Sequence, residues 1–213
     1  MFLPLVLALS LTVARPDQAI TVAAQSTGGS FERRDFHGLS LIGADFSNAD
    51  LRGANFAGAK LTGADFSGAD LRDVSFARAE LTGCDMRGAR LDGANFQGAR
   101  LTGCDIDPAR LSSSQAAAIL RACIGCDMHG ADLHGRDLRG VDLQGVDLRG
   151  SDLRGADLSR ATFTGVDMAG VRLQGAKLDG TRFVGCDLRD VDLHGVDLSK
   201  VEMTGVSFRG VTL

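Results

Sequence analysis

ADLRGANFAG, residues 49–58, holds two five-residue units in tandem. Each has a small residue, a polar residue, a large apolar centre (Leu51, then Phe56), a further residue and a glycine. Outward from this stretch the centre recurs at every fifth position, in sixteen units from Phe36 to Leu111 and eighteen from Met128 to Leu213. Every centre is Leu, Phe, Met or Ile. Two positions before it stands Ala, Val, Cys, Ser or Thr in 31 of the 34 units, the exceptions being Arg34, Leu39 and Arg136. Two positions after it stand 25 of the 28 glycines, so the composition is that of a duplicated short unit.

A period of five fits neither a helical face, which recurs at 3.6 residues, nor a strand face, which recurs at two. It fits a short strand plus a corner. The small residue and the centre are two apart, so extended backbone turns both inward and leaves the residue between them in solvent. A type II corner needs φ > 0 at its third position, which glycine adopts without strain. Four such sides close a coil of 20 residues. The units predict an all-β solenoid of more than eight coils, on the order of 40 Å long at about 4.8 Å per coil.

With units such as ADLRG (residues 49–53) and ANFAG (residues 54–58), the chain resembles the pentapeptide-repeat proteins over about residues 31–213. The resemblance implies a right-handed quadrilateral β-helix with parallel, in-register coils. It implies much less about function, which varies across that family.

The phase breaks between Leu111 and Met128, whose spacing of 17 is not a multiple of five. Ser112 and Gln115 have capping-box spacing, QAAAILRA (residues 115–122) is strongly helix-forming, and Gly125 reads as a stop. Four segments follow. Residues 1–24 read as a signal peptide or an apolar segment packed on the first coil; residues 25–111 form a first repeat lobe, 112–125 a helical interruption and 126–213 a second lobe. The apolar run at residues 2–14 is too short for a comfortable membrane span, and no Lys or Arg precedes it. No membrane span is expected in the mature chain. Arg136 occupies an inward slot just after the break, and is expected to turn toward the carbonyl end of the inserted helix.

Net charge is −4 with the basic residues scattered, which disfavours direct nucleic-acid binding. Stacking residues 20 apart places Asp45, Asp65, Asp85 and Asp105 in one acidic column and Asp127, Asp147, Asp167 and Asp187 in another. These two columns are the candidate interaction surface. Arginines two residues on compensate several carboxylates, as in Asp50 with Arg52, Asp147 with Arg149 and Asp187 with Arg189.

Four of the five cysteines, Cys84, Cys104, Cys126 and Cys186, fall in the small inward slot and read as core filler. Cys123 and Cys126 have the spacing of a zinc or redox half-site, but there is no second pair. Cys84 and Cys104 lie one coil apart and could pair in an oxidising compartment, though in-register neighbours lack ideal disulfide geometry. His37, His129, His134 and His194 each follow a centre and face solvent. No catalytic residues, metal site or cofactor are expected. The expected function is a non-catalytic structural or protein-interaction module, exported to the periplasm or secreted, with an unknown protein partner. The alternative, from the resemblance, is a cytoplasmic DNA-mimicking protein that binds a type II topoisomerase. The chain ends on a repeat centre with no helix to cover it, which suits either a frayed end or a homodimer through the C-terminal coil.

Overall fold

The computed structural model describes residues 28–212. The segment assigned to residues 1–24, the start of the first lobe and the last centre, Leu213, lie outside the described residues. Within them the chain winds as a parallel β-solenoid, each unit forming one side of a four-walled coil. Neighbouring coils pair in register at intervals of 20, as in Asp35 with Asn55, Ser40 with Lys60, Asp45 with Asp65 and Asp50 with Asp70. The bonds of one unit show how every side is held. Asn55 N–H donates to Arg34 O below at 2.9 Å, Phe56 and Gly58 N–H donate to Ser75 O and Ala77 O above at 2.7 and 2.9 Å, and Ala54 N–H closes the corner on Leu51 O at 2.9 Å. The backbone is thereby satisfied coil to coil, which lets so narrow a rod stand.

Named strands are β1 (Glu80–Thr82), β2 (Asp85–Met86), β3 (Arg100–Thr102), β4 (Asp105–Ile106), β5 (Cys123–Ile124), β6 (Asp142–Gln144), β7 (Thr162–Thr164), β8 (Arg182–Val184) and β9 (Glu202–Thr204). All but two lie in one seven-stranded parallel sheet, β1-β3-β5-β6-β7-β8-β9, called here the first wall; β2 and β4 belong to the second. The third wall carries Leu51 and Leu71, and the fourth Phe56 and Phe76.

The centres fill the axis. Alternation of Leu and Phe before the break sends phenylalanines to two opposite walls. Phe36, Phe56, Phe76 and Phe96 stack up the fourth wall with centroids 4.7, 5.4 and 5.2 Å apart, and Phe46 and Phe66 stack up the second at 5.3 Å. Across the axis the rings meet edge to face, Phe56 and Phe66 at 5.7 Å and 87°, the arrangement that the ring quadrupole favours. The small slots are buried beside them: Ala54, Ala59 and Ala64 are each 0% exposed.

Where a slot carries a donor, that donor reaches the carbonyl of a centre one coil earlier, 23 residues back outside the interrupted coil. Cys84 Sγ donates to Leu61 O at 2.7 Å, Ser151 Oγ to Met128 O at 3.2 Å, Thr181 Oγ1 to Leu158 O at 2.8 Å and Cys186 Sγ to Phe163 O at 3.3 Å. Buried polar slots are thus satisfied rather than strained.

The interruption opens with a 3-10 turn at Pro108–Arg110 and continues as α1 (Ser113–Leu120). Ser112 caps α1: Gln115 N–H donates to Ser112 Oγ at 3.4 Å, and Ser112 N–H donates to Gln115 Oε1 at 2.8 Å. α1 stands in for one side of the fourth wall between the levels of Phe96 and Leu138, and buries Ala116, Ile119 and Leu120. Two expectations need correction here. Gly125 does not stop the helix, which ends at Leu120. It is a corner glycine with φ +63 in a further unit, residues 121–125, whose centre is Cys123, paired with Leu101 in the first wall. A thiol is small and is not counted as a centre by the rule that found the others, so the solenoid resumes five residues before Cys126. Arg136 makes no side-chain hydrogen bond to the helix end, and its Nε is buried without a partner. The link runs from the helix side instead: Arg121, the C-cap, donates from Nη2 to Asp137 O at 2.5 Å.

Candidate interaction surface

The small slot and the centre point inward, so each wall shows solvent only the residue between them and the one after. On the second wall the former is aspartate at eight successive levels. Asp45, Asp65 and Asp85 pair upward in register to Asp105, Asp105 pairs with Asp127, and Asp127, Asp147, Asp167 and Asp187 continue to Ser207. The two columns expected from the sequence are therefore one. The coil that holds the interruption has 22 residues between Asp105 and Asp127 instead of 20, and the excess loops out as α1 without moving the wall.

Seven of the eight aspartates, all but Asp105, also serve their own corners. Oδ1 accepts the N–H two residues on, from Ser47 to Asp45 at 2.9 Å, Ser67 to Asp65 at 2.8 Å, His129 to Asp127 at 3.0 Å and Ala169 to Asp167 at 3.1 Å, with the same bond at Asp85, Asp147 and Asp187. This Asx turn is a local reason for Asp or Asn at this place in the unit, and sequence reasoning missed it. Asn55 and Asn95 on the fourth wall make the bond equally well, to Ala57 N–H at 3.0 Å and Gln97 N–H at 2.9 Å. The signal was present in the exchange of Asp for Asn at equivalent positions.

The second oxygen of each carboxylate decides the charge of the surface. Arg87 pairs with Asp85, Arg149 with Asp147 at 2.5 Å and Asp167 at 3.7 Å, and Arg189 with Asp187 at 2.5 Å. His129 Nδ1 lies 2.8 Å from Asp127. Asp45, Asp65 and Asp105 have no ion pair among the described residues. The Arg87 and Arg149 hydrogen bonds hold the Asp85 and Asp147 carboxyls below the usual range, and bonds from Ser47 do the same for Asp45. The column is a line of acidic side chains, paired with a basic side chain at some levels and without an ion pair at others.

The repeat itself decides kinship. A family model described as pentapeptide repeats matches in 8 copies, over residues 35–68, 69–106, 126–165 and 167–205. The chain belongs to the pentapeptide-repeat family. Similar solved structures include a trypsin-treated variant of QnrB1, a plasmid-mediated fluoroquinolone resistance protein, at 24% identity and TM-score 0.40, covering 85% of this chain and 88% of that one. HetL, involved in heterocyst differentiation regulation in Nostoc sp. strain PCC 7120, matches at 26% identity and TM-score 0.29 over 87% of this chain and 90% of its own. The Nostoc protein alr5209 is 39% identical over 39% of this chain and 65% of its own, with TM-score 0.27. No curated protein matches the chain.

Of the remaining groups of this pentapeptide-repeat chain, the Cys84 thiol lies within hydrogen-bonding reach of Cys104, and that of Cys123 within reach of Cys126. His37, His129, His134 and His194 are exposed at corners. Cys84, Cys104, Cys123, Cys126 and Cys186 are buried free thiols, and burial pushes the Cys186 thiol up. Among the described residues no group of His, Cys, Asp and Glu is placed to hold a metal ion, and no helix is long and apolar enough to cross a membrane. The concavity beside α1, about 330 Å3, is lined by Asp92, Phe96, Ser112, Ser114 and Gln115 among others.

Proposed function

We propose that this pentapeptide-repeat protein is a non-catalytic interaction module that presents the second wall to a protein partner with a basic surface. The observation that carries this reading is the unbroken register of eight aspartates from Asp45 to Asp187, continuous past the interruption. At about 4.8 Å per level it extends roughly 34 Å, long enough to spread binding over many weak contacts. Asp45, Asp65 and Asp105, which make no ion pair among the described residues, are its attachment points. Export is proposed with it, on the apolar run at residues 2–14 and the polar stretch Arg15, Pro16, Asp17 and Gln18 that follows. N-terminal sequencing of the protein recovered from cell fractions tests export, and an intact N-terminus in the cytosol overturns it.

The wall is tested by Asp→Asn substitution at positions 45, 65, 105 and 127 together. Asparagine keeps the Asx bond, as Asn55 does, and removes the charge. Partners captured by the wild-type protein should be lost by this variant, with thermal stability retained. Equal capture by the two proteins overturns the assignment of the wall. The same line of carboxylates supports a second reading, a cytoplasmic DNA mimic that occupies a type II topoisomerase; the arginines at 87, 149 and 189 weaken it. Inhibition of gyrase supercoiling by the purified protein would favour that reading over export.

A further inference from the structure

The first wall differs from the other three in what it shows to solvent. Its outer column after the centres is uncharged at every level: Ile42, Thr62, Thr82 and Thr102 below the interruption, and Ile124, Gln144, Thr164, Val184 and Thr204 above it. The corner beside that column is glycine at each level, so no side chain rises next to it. Two of the three large hydrophobic residues exposed among the described residues, Ile42 at 56% and Ile124 at 38%, stand in this one column. The outer column before the centres is charged in alternation. Lys60, Glu80 and Arg100 stack below, and Asp142, Arg182 and Glu202 above, with Ala122 and Thr162 between them. Thus a flat, uncharged β-branched stripe runs beside a line of alternating charges on the longest sheet of the molecule.

We propose that the first wall is a self-association surface on which a second copy docks face to face with its axis antiparallel. A twofold axis in the plane of the wall and perpendicular to the rod sets each outer column against its own counterpart, running the opposite way. With that axis between the levels of Ala122 and Asp142, Lys60 faces Glu202 of the other copy, Glu80 faces Arg182, Arg100 faces Thr162, and Ala122 faces Asp142. In the other column Thr62 meets Thr204, Thr82 meets Val184, Thr102 meets Thr164 and Ile124 meets Gln144, while Ile42 lies one level beyond the overlap. Every opposed charge then has the opposite sign or a neutral neighbour, and Arg182 and Glu202, which pair with each other within one chain at 3.3 Å, each meet a second group of opposite sign. Sliding the copy by one level destroys this. In one direction Lys60 meets Arg182; in the other Arg100 meets Arg182 and Glu80 meets Glu202, and like charges in contact oppose docking. A parallel arrangement would lay the charged column on the uncharged stripe and desolvate ions with no partner. The overlapping levels cover on the order of 600 Å2 per copy, at the low end of specific interfaces, so the dimer is concentration-dependent.

The full chain is examined by sedimentation velocity over a range of concentrations and by zero-length carbodiimide cross-linking with mass spectrometry. A Lys60–Glu202 amide between copies is expected. Seven levels, about 34 Å, separate the two residues within one rod, so the link cannot form inside a single chain. Lys60→Glu and Glu202→Lys should each weaken the dimer by roughly tenfold or more, and the two substitutions combined should restore it. A monomer at all concentrations overturns the proposal. So does a dimer without that cross-link, as an end-to-end contact through the last coil would give, or a double variant no better than the singles. Both positions are exposed, and Lys60→Gln, which brings no like charge, gives a milder variant with the same expected direction.

Discussion

At the scale of single residues, the corners set the tightest rule. Six residues other than glycine hold positive φ, namely Arg33, Asn48, Asp73, Arg78, Arg160 and Asp190. Each is followed one coil later by a glycine over which its own side chain lies. A Cβ at Gly68 would sit 2.5 Å from Asn48 Oδ1, one at Gly93 2.2 Å from Asp73 Oδ1, and one at Gly210 2.1 Å from Asp190 Oδ1. At these three corners a side chain thus excludes a side chain at the next. Gly63 has φ +65 but nothing within 4 Å of the added Cβ, so Gly63→Ala carries only backbone strain, about 1–2 kcal/mol. Gly93→Ala should be more destabilising in urea denaturation, because the Asp73 carboxylate must also move. In an Asp73→Gly background its cost should fall to that of Gly63→Ala, a coupling that a double-mutant cycle reads directly. Equal costs for Gly93→Ala with and without Asp73 would refute the rule.

At the scale of elements, α1 replaces one side of the fourth wall, and the first wall closes without it. Leu101 N–H donates to Ala122 O and Gly103 N–H to Ile124 O, both at 2.9 Å, so the first wall closes from β3 to β5 beneath the helix. Loss of the cap by Ser112→Ala should cost about 1 kcal/mol. In hydrogen exchange, the amides of α1 should lose protection while those of Leu101 and Gly103 keep theirs. Joint loss of protection would mean that helix and wall open as one unit. The capping box and the helix were legible in Ser112, Gln115 and the alanine run, since these are local signals. The return to the solenoid at Cys123 was not, because only its pairing with Leu101 identifies that thiol as a centre.

At the scale of the whole molecule, the aspartates of the Asp-Leu-Arg and Asp-Met-Arg units share one electrostatic habit. Hydrogen bonds from the arginine two residues on lower the carboxyls of Asp50, Asp70, Asp85 and Asp147, and bring those of Asp137 and Asp152 down to about 2. Asp152 is held from both sides, by Arg154 at 2.6 Å and Arg172 at 3.1 Å. A carboxyl whose value is lower in the folded than in the unfolded chain stabilises the fold above the unfolded value, about 3.9, and loses that contribution as pH falls toward the folded value. Thermal midpoints followed by circular dichroism should therefore stay level from about pH 7 to 5 and drop between about pH 4 and 2. Asp152→Asn should lower the midpoint at neutral pH and converge on wild type near pH 2. A deficit that persists unchanged at pH 2 would show that Asp152 acts through packing and not through its charge.

The five-residue period by itself determined the solenoid, the inward and outward sides and the glycine corners, because strand alternation and turn conformation are properties of a few adjacent residues. It also carried the family. The tertiary structure decided what depends on registration between coils. It joined the two acidic columns into one, gave Cys123 its place on the axis, left Arg136 Nε without an acceptor and lined up the uncharged stripe of the first wall. The physical reason is that a helix packed on one wall can absorb two extra residues in a coil without disturbing the other three. How many residues loop out is set by that packing and by backbone bonds to the coils above and below, which no local pattern contains.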